Sequence, residues 1–591
     1  MLTASVSAPP AAPRPAYLWR ALTRGLAASL FFLVAMSASA SSDGYDALVS
    51  LFEEWRELEQ PSLLEGAPDY RPAAVEQRHK GMLALRERLD DMDTSGWSTE
   101  EKIDWHLVRA EMNGLDFYAR VLQPWVRDPA FYASVRSSQS DTPSEEAPTI
   151  HNAVRLWAYS IWPRTALSTP SPLSADAERE LSAELKTIAP LLEQAKSNLV
   201  SNTRDLWLPA IISFRNQESI LETLGEKLED AGADVRKAQQ EALAATTDFR
   251  EWLEVEAPKK TGPSGITREE YTWHLRNVLL VNSSWEEEVT IMQRETARGY
   301  ASLQAEEIAN RDLPPLEPVG SAEEFAELQA DSIDRYIAFM EERDILTVRP
   351  WMKRALQERV FPYDPPESRN FFGQATHRDP RTLWTHFYHY WDLEQMSEAP
   401  HSSPIRRNAL RYNVWMSRAE GTATGMEEWM MHAGLFEDNP RAREVVWIML
   451  VTRAARGLSS LLAHDNQITL EEAGDMHVDW TPRSWMNRNL DLLGFEQHLY
   501  LRQPGYGSTY VTGARMIDMI IAERARAAGS DFSMKDFFDD MNDAGMIPVS
   551  LLRWQLTGND EDIRAIMDKP QGCGLGSGWL AGVSLPARGS R

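Results

Sequence analysis

Cysteine is almost absent from this chain of 591 residues, in which Cys573 is the single example. One thiol cannot form an intrachain disulfide, and it cannot build a zinc cluster from several cysteine ligands. The sequence also contains no G-x-x-x-x-G-K-[S/T] loop for nucleotide phosphates and no G-x-S-x-G turn for a serine nucleophile. Any metal site in this protein must therefore use histidine, aspartate and glutamate.

Basic residues are scarce as well. The chain has 61 Lys and Arg against 88 Asp and Glu, which gives a formal net charge of −27. Residues 1–40 contain three arginines and no acidic residue, so the rest of the chain carries 58 − 88 = −30. A surface with this much negative charge repels phosphate groups, which argues against nucleic acids and anionic membranes as partners.

Long apolar runs are also missing, apart from Gly25–Met36 near the N-terminus. Arginines precede this run, and the small residues Ala38–Ala40 follow it. That order predicts a secretory signal peptide over residues 1–40, so that the exported protein begins at Ser41. A retained anchor is the alternative, although the run is short for a transmembrane helix.

Two further expectations follow for the location of the protein. No cysteine lies near the predicted cleavage site, which excludes a lipid anchor there. A second long apolar stretch is not expected, so the mature chain is predicted to have no membrane span. We therefore expect a periplasmic or secreted protein.

Helix signals recur along the chain, whereas alternating strand-like runs are scarce. Apolar residues between Glu324 and Met340 repeat at helical spacing, which is typical of one buried helix face. Four pairs with capping-box spacing open helical patterns, namely Ser98/Glu101, Thr267/Glu270, Ser321/Glu324 and Thr469/Glu472. The sequence therefore predicts a large all-α fold with many helices.

Segments rich in proline, glycine and serine suggest how this helical chain is divided. One of them, 361–368, separates a predicted N-terminal lobe, 41–360, from a predicted site-bearing lobe, 361–569, with a cleft between the two. A single compact unit is the alternative. The glycine-rich segment 570–591 is predicted to be a disordered tail.

The stretch Thr385–Gln395, THFYHYWDLEQ, places two histidines among aromatic residues, and His386 lies 34 positions before Glu420, which opens EGTATGME. These segments resemble the HExxPGHHxQ and EGWAxYAE segments of the domain of unknown function 885 family, at a matching separation. Members of that family are bacterial secreted proteins that look like helical zinc metallopeptidases. The likeness covers most of the mature chain. It implies a metallopeptidase-like helical fold with His386 and Glu420 as metal ligands.

The residues that would carry out hydrolysis depart from the family pattern. Phe387 replaces the glutamate that looks like the family's general base, and a phenyl ring cannot accept a proton. Tyr390 and Trp391 replace a Pro-Gly pair, and Asp392 replaces a histidine. A zinc hydrolase needs about three protein ligands, an open position for water and a base. These changes favour zinc that is absent or weakly bound.

Two residues, His389 and Asp392, are alternatives for the third metal ligand. On an unbroken helix, six positions rotate by about 240°, so Asp392 would point away from His386. His389 is three residues from His386 and lies nearer the same face. A metal could therefore be held by His386 and Glu420 with either His389 or Asp392. Otherwise His386 and Glu420 form a buried hydrogen-bonded pair without a metal.

Three further residues are candidates for a functional role. Glu427 lies two turns from Glu420 on the same helix face and could replace the missing base, although an exposed, solvated side chain is the favoured reading. Tyr510 could stabilise an oxyanion or bind a peptide carbonyl, and a core tyrosine is the alternative. The resemblance also implies that His464 binds substrate.

Two functions follow from these observations. The first is an exported helical protein with a degenerate zinc site that binds peptide or protein without efficient hydrolysis. The second is an active zinc-dependent peptidase or amide hydrolase with rearranged ligands. The missing glutamate after His386 favours the first, because losing the base together with a ligand lowers the rate by many orders of magnitude. Whether the protein is an enzyme stays open.

Overall fold

A computed structural model of the protein describes residues 39–135, 173–407, 410–412 and 416–568. The all-α prediction is confirmed for this part of the chain, whose strands are limited to the antiparallel pair Leu63–Leu64 and Ala67–Pro68. The predicted signal peptide up to residue 38 and the tail 570–591 lie outside the described residues.

The α-helices follow one another through the whole of the described chain. In order they are α1 (Ser39–Leu58), α2 (Pro72–Asp90), α3 (Thr99–Phe117), α4 (Pro124–Arg127), α5 (Ala175–Leu185), α6 (Ile188–Asn198), α7 (Arg204–Lys227), α8 (Ala233–Glu256), α9 (Arg268–Asn277), α10 (Trp285–Ala309), α11 (Ala322–Glu342), α12 (Pro350–Gln357), α13 (Phe371–Thr376), α14 (Arg381–His386), α15 (Tyr388–Glu398), α16 (Gly421–Ala433), α17 (Ala442–His464), α18 (Leu470–Trp480), α19 (Asp491–Arg502), α20 (Tyr506–Ala528), α21 (Met534–Asp543), α22 (Val549–Thr557) and α23 (Glu561–Asp568).

The four helix starts predicted from capping-box spacing are confirmed. Ser98 and Thr469 form complete capping boxes with Glu101 and Glu472, in which side chain and backbone exchange hydrogen bonds. At the other two starts, the serine or threonine side chain accepts a hydrogen bond from the backbone N–H three residues further on. These side chains satisfy N–H groups that the first helical turn leaves without a partner.

Helix α17 lies at the centre of the packing and contacts α10, α16, α18, α19 and α20. By length and composition it could cross a membrane, but 94% of its most apolar window is buried inside the protein, as in a core helix. The expectation that no second long apolar stretch exists is therefore wrong. The buried apolar residues form one connected core that runs from Leu48 to Ile566. The division into two lobes stays a prediction.

A close approach between α16 and α20 positions the site. A Cβ atom added at Gly421 would lie 2.7 Å from the Cα of Gly513, so only glycine allows the two backbones to meet there. A short π-helical turn, Met416–Glu420, leads directly into α16 at this contact. The contact therefore brings Glu420 next to the N-terminal part of α20, between Tyr506 and Gly513.

Candidate metal centre

Three buried side chains from three segments meet in one cluster. His386 is the last residue of α14, His389 lies in the first turn of α15, and Glu420 ends the π-helical turn before α16. Each offers one ligand atom, and these atoms all lie within 4.8 Å of one another. The three side chains are 7%, 1% and 0% exposed. These three residues are one of the two ligand sets that the sequence predicted, namely the set in which His389 rather than Asp392 is the third ligand.

The helix that carries the two histidines is not continuous, so the expectation of an unbroken helix is wrong. α14 ends at His386 and α15 begins at Tyr388, because Phe387 keeps a helical φ of −68° but has a ψ of 13°, far from the helical value of about −42°. The Phe387 ring packs 5.4 Å from Trp384 and 5.5 Å from Phe361 between ring centroids. Aromatic packing thus accompanies the helix break at Phe387. In the pattern of the 885 family, which this segment resembles, a Pro-Gly pair would break the helix.

Glu420 is held between a histidine and a tyrosine. His386 Nε2 lies 3.5 Å from Glu420 Oε2, and the Tyr506 hydroxyl donates a hydrogen bond of 2.8 Å to Glu420 Oε1. Oε2 is buried and accepts no hydrogen bond within the described chain. A separation of 3.5 Å is long for a hydrogen bond. It is close to the roughly 3.4 Å between two ligand atoms of a tetrahedral zinc ion.

The other nitrogen of His386 faces a second buried carboxylate. Its Nδ1 lies 3.1 Å from Glu427 Oε1 and 3.1 Å from Arg453 Nη2. Arg453 Nη1 also donates a hydrogen bond of 2.5 Å to Glu427 Oε2. Glu427 is only 2% exposed, so the reading of this residue as a solvated side chain is wrong. A carboxylate on the far nitrogen of a histidine is the arrangement that orients metal-ligating histidines.

The charges of the cluster depend on these neighbours. Burial and Arg453 disfavour a protonated His386, but the carboxylates of Glu420 and Glu427 outweigh them and raise its pKa. Burial alone would raise the pKa of Glu420, yet the two histidines and the Tyr506 hydroxyl lower it to about 2.

Burial lowers the pKa of His389 to about 3, so this imidazole is neutral. The cluster thus offers an anionic carboxylate and a neutral imidazole, which has one unprotonated ring nitrogen, together with His386. Two imidazoles and one carboxylate form a donor set that zinc uses in proteins, so the residues present fit this ion.

The structure places Asp392 outside the cluster. Its carboxylate faces the Arg418 guanidinium, with Nη1 3.1 Å from Oδ2 and Nη2 3.2 Å from Oδ1. Burial raises the pKa of Asp392 to about 6 although Arg418 opposes the shift. Asp392 is therefore engaged in an ion pair, whereas His389 is the residue that joins His386 and Glu420.

Tyr510 lies beside the cluster, and His464 does not. The Tyr510 ring is nearly parallel to the His386 ring, at 6.0 Å between centroids. The Arg456 guanidinium carbon lies 4.4 Å from the centroid of the Tyr510 ring. The Nε2 of His464 lies 2.9 Å from the backbone oxygen of Tyr500, and burial lowers the pKa of His464 to about 4. The geometry around His464 is that of a core histidine.

Sequence reasoning assigned no role to Arg453, Arg418 or Tyr506. A signal for Arg453 was present, because an arginine within the apolar helix α17 must find a buried anion. Arg456, one turn further, likewise donates a hydrogen bond of 2.7 Å to the buried Glu496. Tyr506 precedes Tyr510 by one helical turn, which places both on the face of α20 that meets the cluster.

A cavity of about 280 Å³ lies within the described part of the chain. It lies between the end of α15, the loop that follows it, the π-helical turn and the end of α21. Its lining residues are Asp392, Gln395, Met396, Ala399, Pro400, His401, Ser402, Arg406, Arg418, Asn542, Asp543, Gly545 and Met546. The ion pair between Asp392 and Arg418 forms part of its wall, whereas the three residues of the metal cluster are not among its lining residues.

Comparison with known proteins supports the fold. No protein-family model matches the chain, and no curated protein matches it. A solved structure described as a putative lipoprotein of unknown function from Shewanella oneidensis superposes with a TM-score of 0.61 and 16% identity, over 88% of this chain and 99% of its own. The structure of a putative lipoprotein from Colwellia psychrerythraea gives 0.60 and 14%, over 89% and 100%. At such identities the likeness shows a shared helical fold, and the resemblance to the 885 family stays a prediction.

Proposed function

We propose that this protein is an exported, envelope-associated helical protein with a buried zinc centre that binds peptides without efficient hydrolysis. His386, His389 and Glu420 would hold the ion. The observation that carries the proposal is the 3.5 Å separation of His386 Nε2 and Glu420 Oε2, which matches ligand spacing better than hydrogen bonding. His389 supplies the third donor that the sequence left open.

The neighbouring residues favour a centre that binds a ligand rather than hydrolyses it. Glu427 lies on the Nδ1 side of His386 and is held by Arg453, so it suits orientation of the imidazole better than activation of water. Phe387 occupies the position of the expected base and offers no proton acceptor. A bound zinc ion would supply a Lewis acid for a ligand oxygen. Tyr506 would fix Glu420 through its hydroxyl.

Export is supported by two independent features. The N-terminal segment has the order of basic residues, apolar run and small residues that signal peptides share. The two structural neighbours are both described as putative lipoproteins. Since Cys573 is the single cysteine, a lipid anchor near the N-terminus is not part of the proposal.

The zinc content of the purified mature protein tests the proposal directly. The sequence favoured zinc that is absent or weakly bound, but with His389 as a third donor we expect about one zinc per chain after dialysis. Glu420→Gln should lose that zinc, because the substitution removes the anionic ligand. Glu428→Gln is the matched control, since Glu428 lies on the same helix but pairs with Arg298 at 2.7 Å and 2.9 Å. It should keep its zinc.

Incubation of the same preparations with a peptide library separates the two candidate functions. The proposal expects no cleavage by the zinc-loaded protein. Cleavage that disappears in Glu420→Gln would instead establish the active hydrolase with rearranged ligands. A wild-type protein that carries no zinc, or that keeps it in Glu420→Gln, would refute the metal centre.

A further inference from the structure

A buried ion pair joins the two segments that carry His389 and Glu420. Arg418 lies in the π-helical turn two residues before Glu420, and Asp392 lies in α15 one helical turn after His389. The Arg418 guanidinium donates one hydrogen bond to each oxygen of the Asp392 carboxylate, at 3.1 Å and 3.2 Å. Both side chains are buried, with 1% and 4% exposure. The ion pair is therefore a direct connection between α15 and the π-helical turn.

Further hydrogen bonds of Arg418 strengthen this connection. Its Nη1 donates a hydrogen bond of 2.9 Å to the Thr422 hydroxyl, which in turn donates one of 2.6 Å to the Arg418 carbonyl oxygen. Thr422 belongs to the first turn of α16, so the π-helical turn is also fixed to the helix that follows it. Asn542 Oδ1 accepts a hydrogen bond of 2.7 Å from Tyr388 and lies 3.4 Å from Arg418 Nη2. Both Nη atoms of Arg418 are thus engaged within the chain.

The cavity of about 280 Å³ lies on one side of this ion pair. Its lining includes Arg418 from the π-helical turn and Asp392, Gln395, Met396 and Ala399 from α15 and the residue after it. A void offers no atoms against which these side chains could pack. On the cavity side, α15 is therefore held in place by polar bonds rather than by apolar packing.

The ion pair matters for His389 because α15 is separated from α14. Phe387 interrupts the helix, so the position of His386 does not fix the position of His389. Along the chain, 26 positions separate Asp392 from Arg418, so the sequence between them does not fix their distance either. Protein ligands must keep their distances to a metal within about 0.2 Å. A direct connection between the two segments meets this requirement.

We propose that Arg418 and Asp392 are positioning residues of the metal centre, which keep His389 and Glu420 at ligand spacing without coordinating the ion themselves. The inference rests on the metal centre of the proposed function and adds the residues that set its geometry. It also gives Asp392 a role other than that of a third ligand.

The zinc affinity of the purified mature protein, measured by competition with a chromogenic chelator, tests this role. We expect Arg418→Met and Asp392→Asn each to weaken zinc binding by about 10-fold or more, as is usual when residues that orient metal ligands are replaced. The double variant should bind zinc about as weakly as the weaker single variant, because the connection is already broken. Arg418→Lys keeps the positive charge and should retain most of the affinity that Arg418→Met loses.

Arg354→Gln is the matched control. Arg354 lies in α12 and pairs with Glu398 of the same helix α15 at 2.8 Å, but the two side chains are 51% and 46% exposed. This variant should bind zinc like the wild type, because an exposed ion pair contributes little to the position of a helix.

The visible absorption spectrum of the protein loaded with Co²⁺ separates positioning from a general loss of stability. At saturating Co²⁺ every folded molecule holds the ion, so a change in the bands reports a change in coordination geometry. We expect Arg418→Met to change the spectrum, Arg418→Lys to resemble the wild type, and Arg354→Gln to leave the spectrum unchanged.

Wild-type zinc affinity and an unchanged Co²⁺ spectrum in either Arg418→Met or Asp392→Asn would overturn the inference and leave the metal centre in place. Loss of zinc in Asp392→Asn with full binding by Arg418→Met would also overturn it, because Asp392 would then be a ligand. Asp392→Asn keeps the test decisive if Arg418→Met does not fold. A wild-type protein that binds neither zinc nor Co²⁺ would refute the metal centre, and this inference with it.

Discussion

The ion pair between Arg453 and Glu427 should behave as a buried unit whose halves cannot be removed separately. The side chains are 3% and 2% exposed, and Nη1 and Oε2 are 2.5 Å apart. At an effective dielectric constant of about 20, their attraction is on the order of 6–7 kcal/mol, much of which offsets the cost of desolvating both charges. Removing one partner leaves the other buried and uncompensated, which typically costs about 3–5 kcal/mol.

A double-mutant cycle measures this effect in the metal-free protein. We expect Arg453→Met and Glu427→Gln each to lower the free energy of urea unfolding by about 3–5 kcal/mol. The double variant should lose much less than the sum of the two, with a coupling energy of about 2–3 kcal/mol. Lys80 and Glu76 form the control pair, at 2.6 Å but 70% and 65% exposed. Their coupling should stay below about 0.5 kcal/mol.

The same variants connect the ion pair to the metal centre. Glu427→Gln should also weaken zinc binding by about 10- to 100-fold, because the carboxylate that orients His386 is lost. Zinc affinity is measured by competition with a chromogenic chelator. Single substitutions that cost under about 1 kcal/mol and add without coupling would refute the buried pair. Unchanged zinc affinity in a folded Glu427→Gln protein would refute its orienting role.

Two further predictions concern stability. Burial lowers the pKa of His274 to about 3, whereas a histidine in the unfolded chain has a pKa near 6.5. Below about pH 6.5 the unfolded chain therefore takes up a proton that the folded chain does not, and the free energy of unfolding falls as the pH drops. His274→Gln should therefore reduce the loss of unfolding free energy between pH 7 and pH 5 by about 2 kcal/mol in urea titrations, and an unchanged loss would contradict the reasoning. Gly421→Ala should lower the unfolding free energy by about 1–3 kcal/mol, because the new methyl group would lie 2.6 Å from the Gly513 carbonyl carbon. Gly494→Ala, where a Cβ meets nothing within 4 Å, should be neutral or slightly stabilising, and equal effects of the two substitutions would refute the close approach.

Local sequence signals predicted the fold class and several helix starts. Ser98 and Thr469 act within four residues, and a capping side chain needs no information from the rest of the fold. The spacing of apolar residues between Glu324 and Met340 likewise reports one buried helix face, which α11 contains. Such features depend on short stretches of chain, and the sequence contains them completely.

The site was harder to predict, because its geometry depends on contacts between distant segments. The rotation argument for Asp392 assumed a continuous helix, but Phe387 interrupts it while packing against Phe361 and Trp384. Asp392 is withdrawn from the cluster by an arginine 26 positions later in the chain, which no local pattern indicates. The pairing of His386 with Glu420 came from spacing alone, and the structure brings these two residues together.

The charges around the metal centre set a condition on its ligands. Two buried carboxylates, Glu420 and Glu427, raise the pKa of His386, and Glu427 is also paired with Arg453, so each buried anion already lies beside a basic group. A zinc ion held by His386, His389 and Glu420 would add positive charge to this buried environment, where an unbalanced charge is unfavourable. A negative group on a ligand of the ion would offset that charge. The proposed metal centre would therefore favour a small molecule or peptide end that carries a carboxylate.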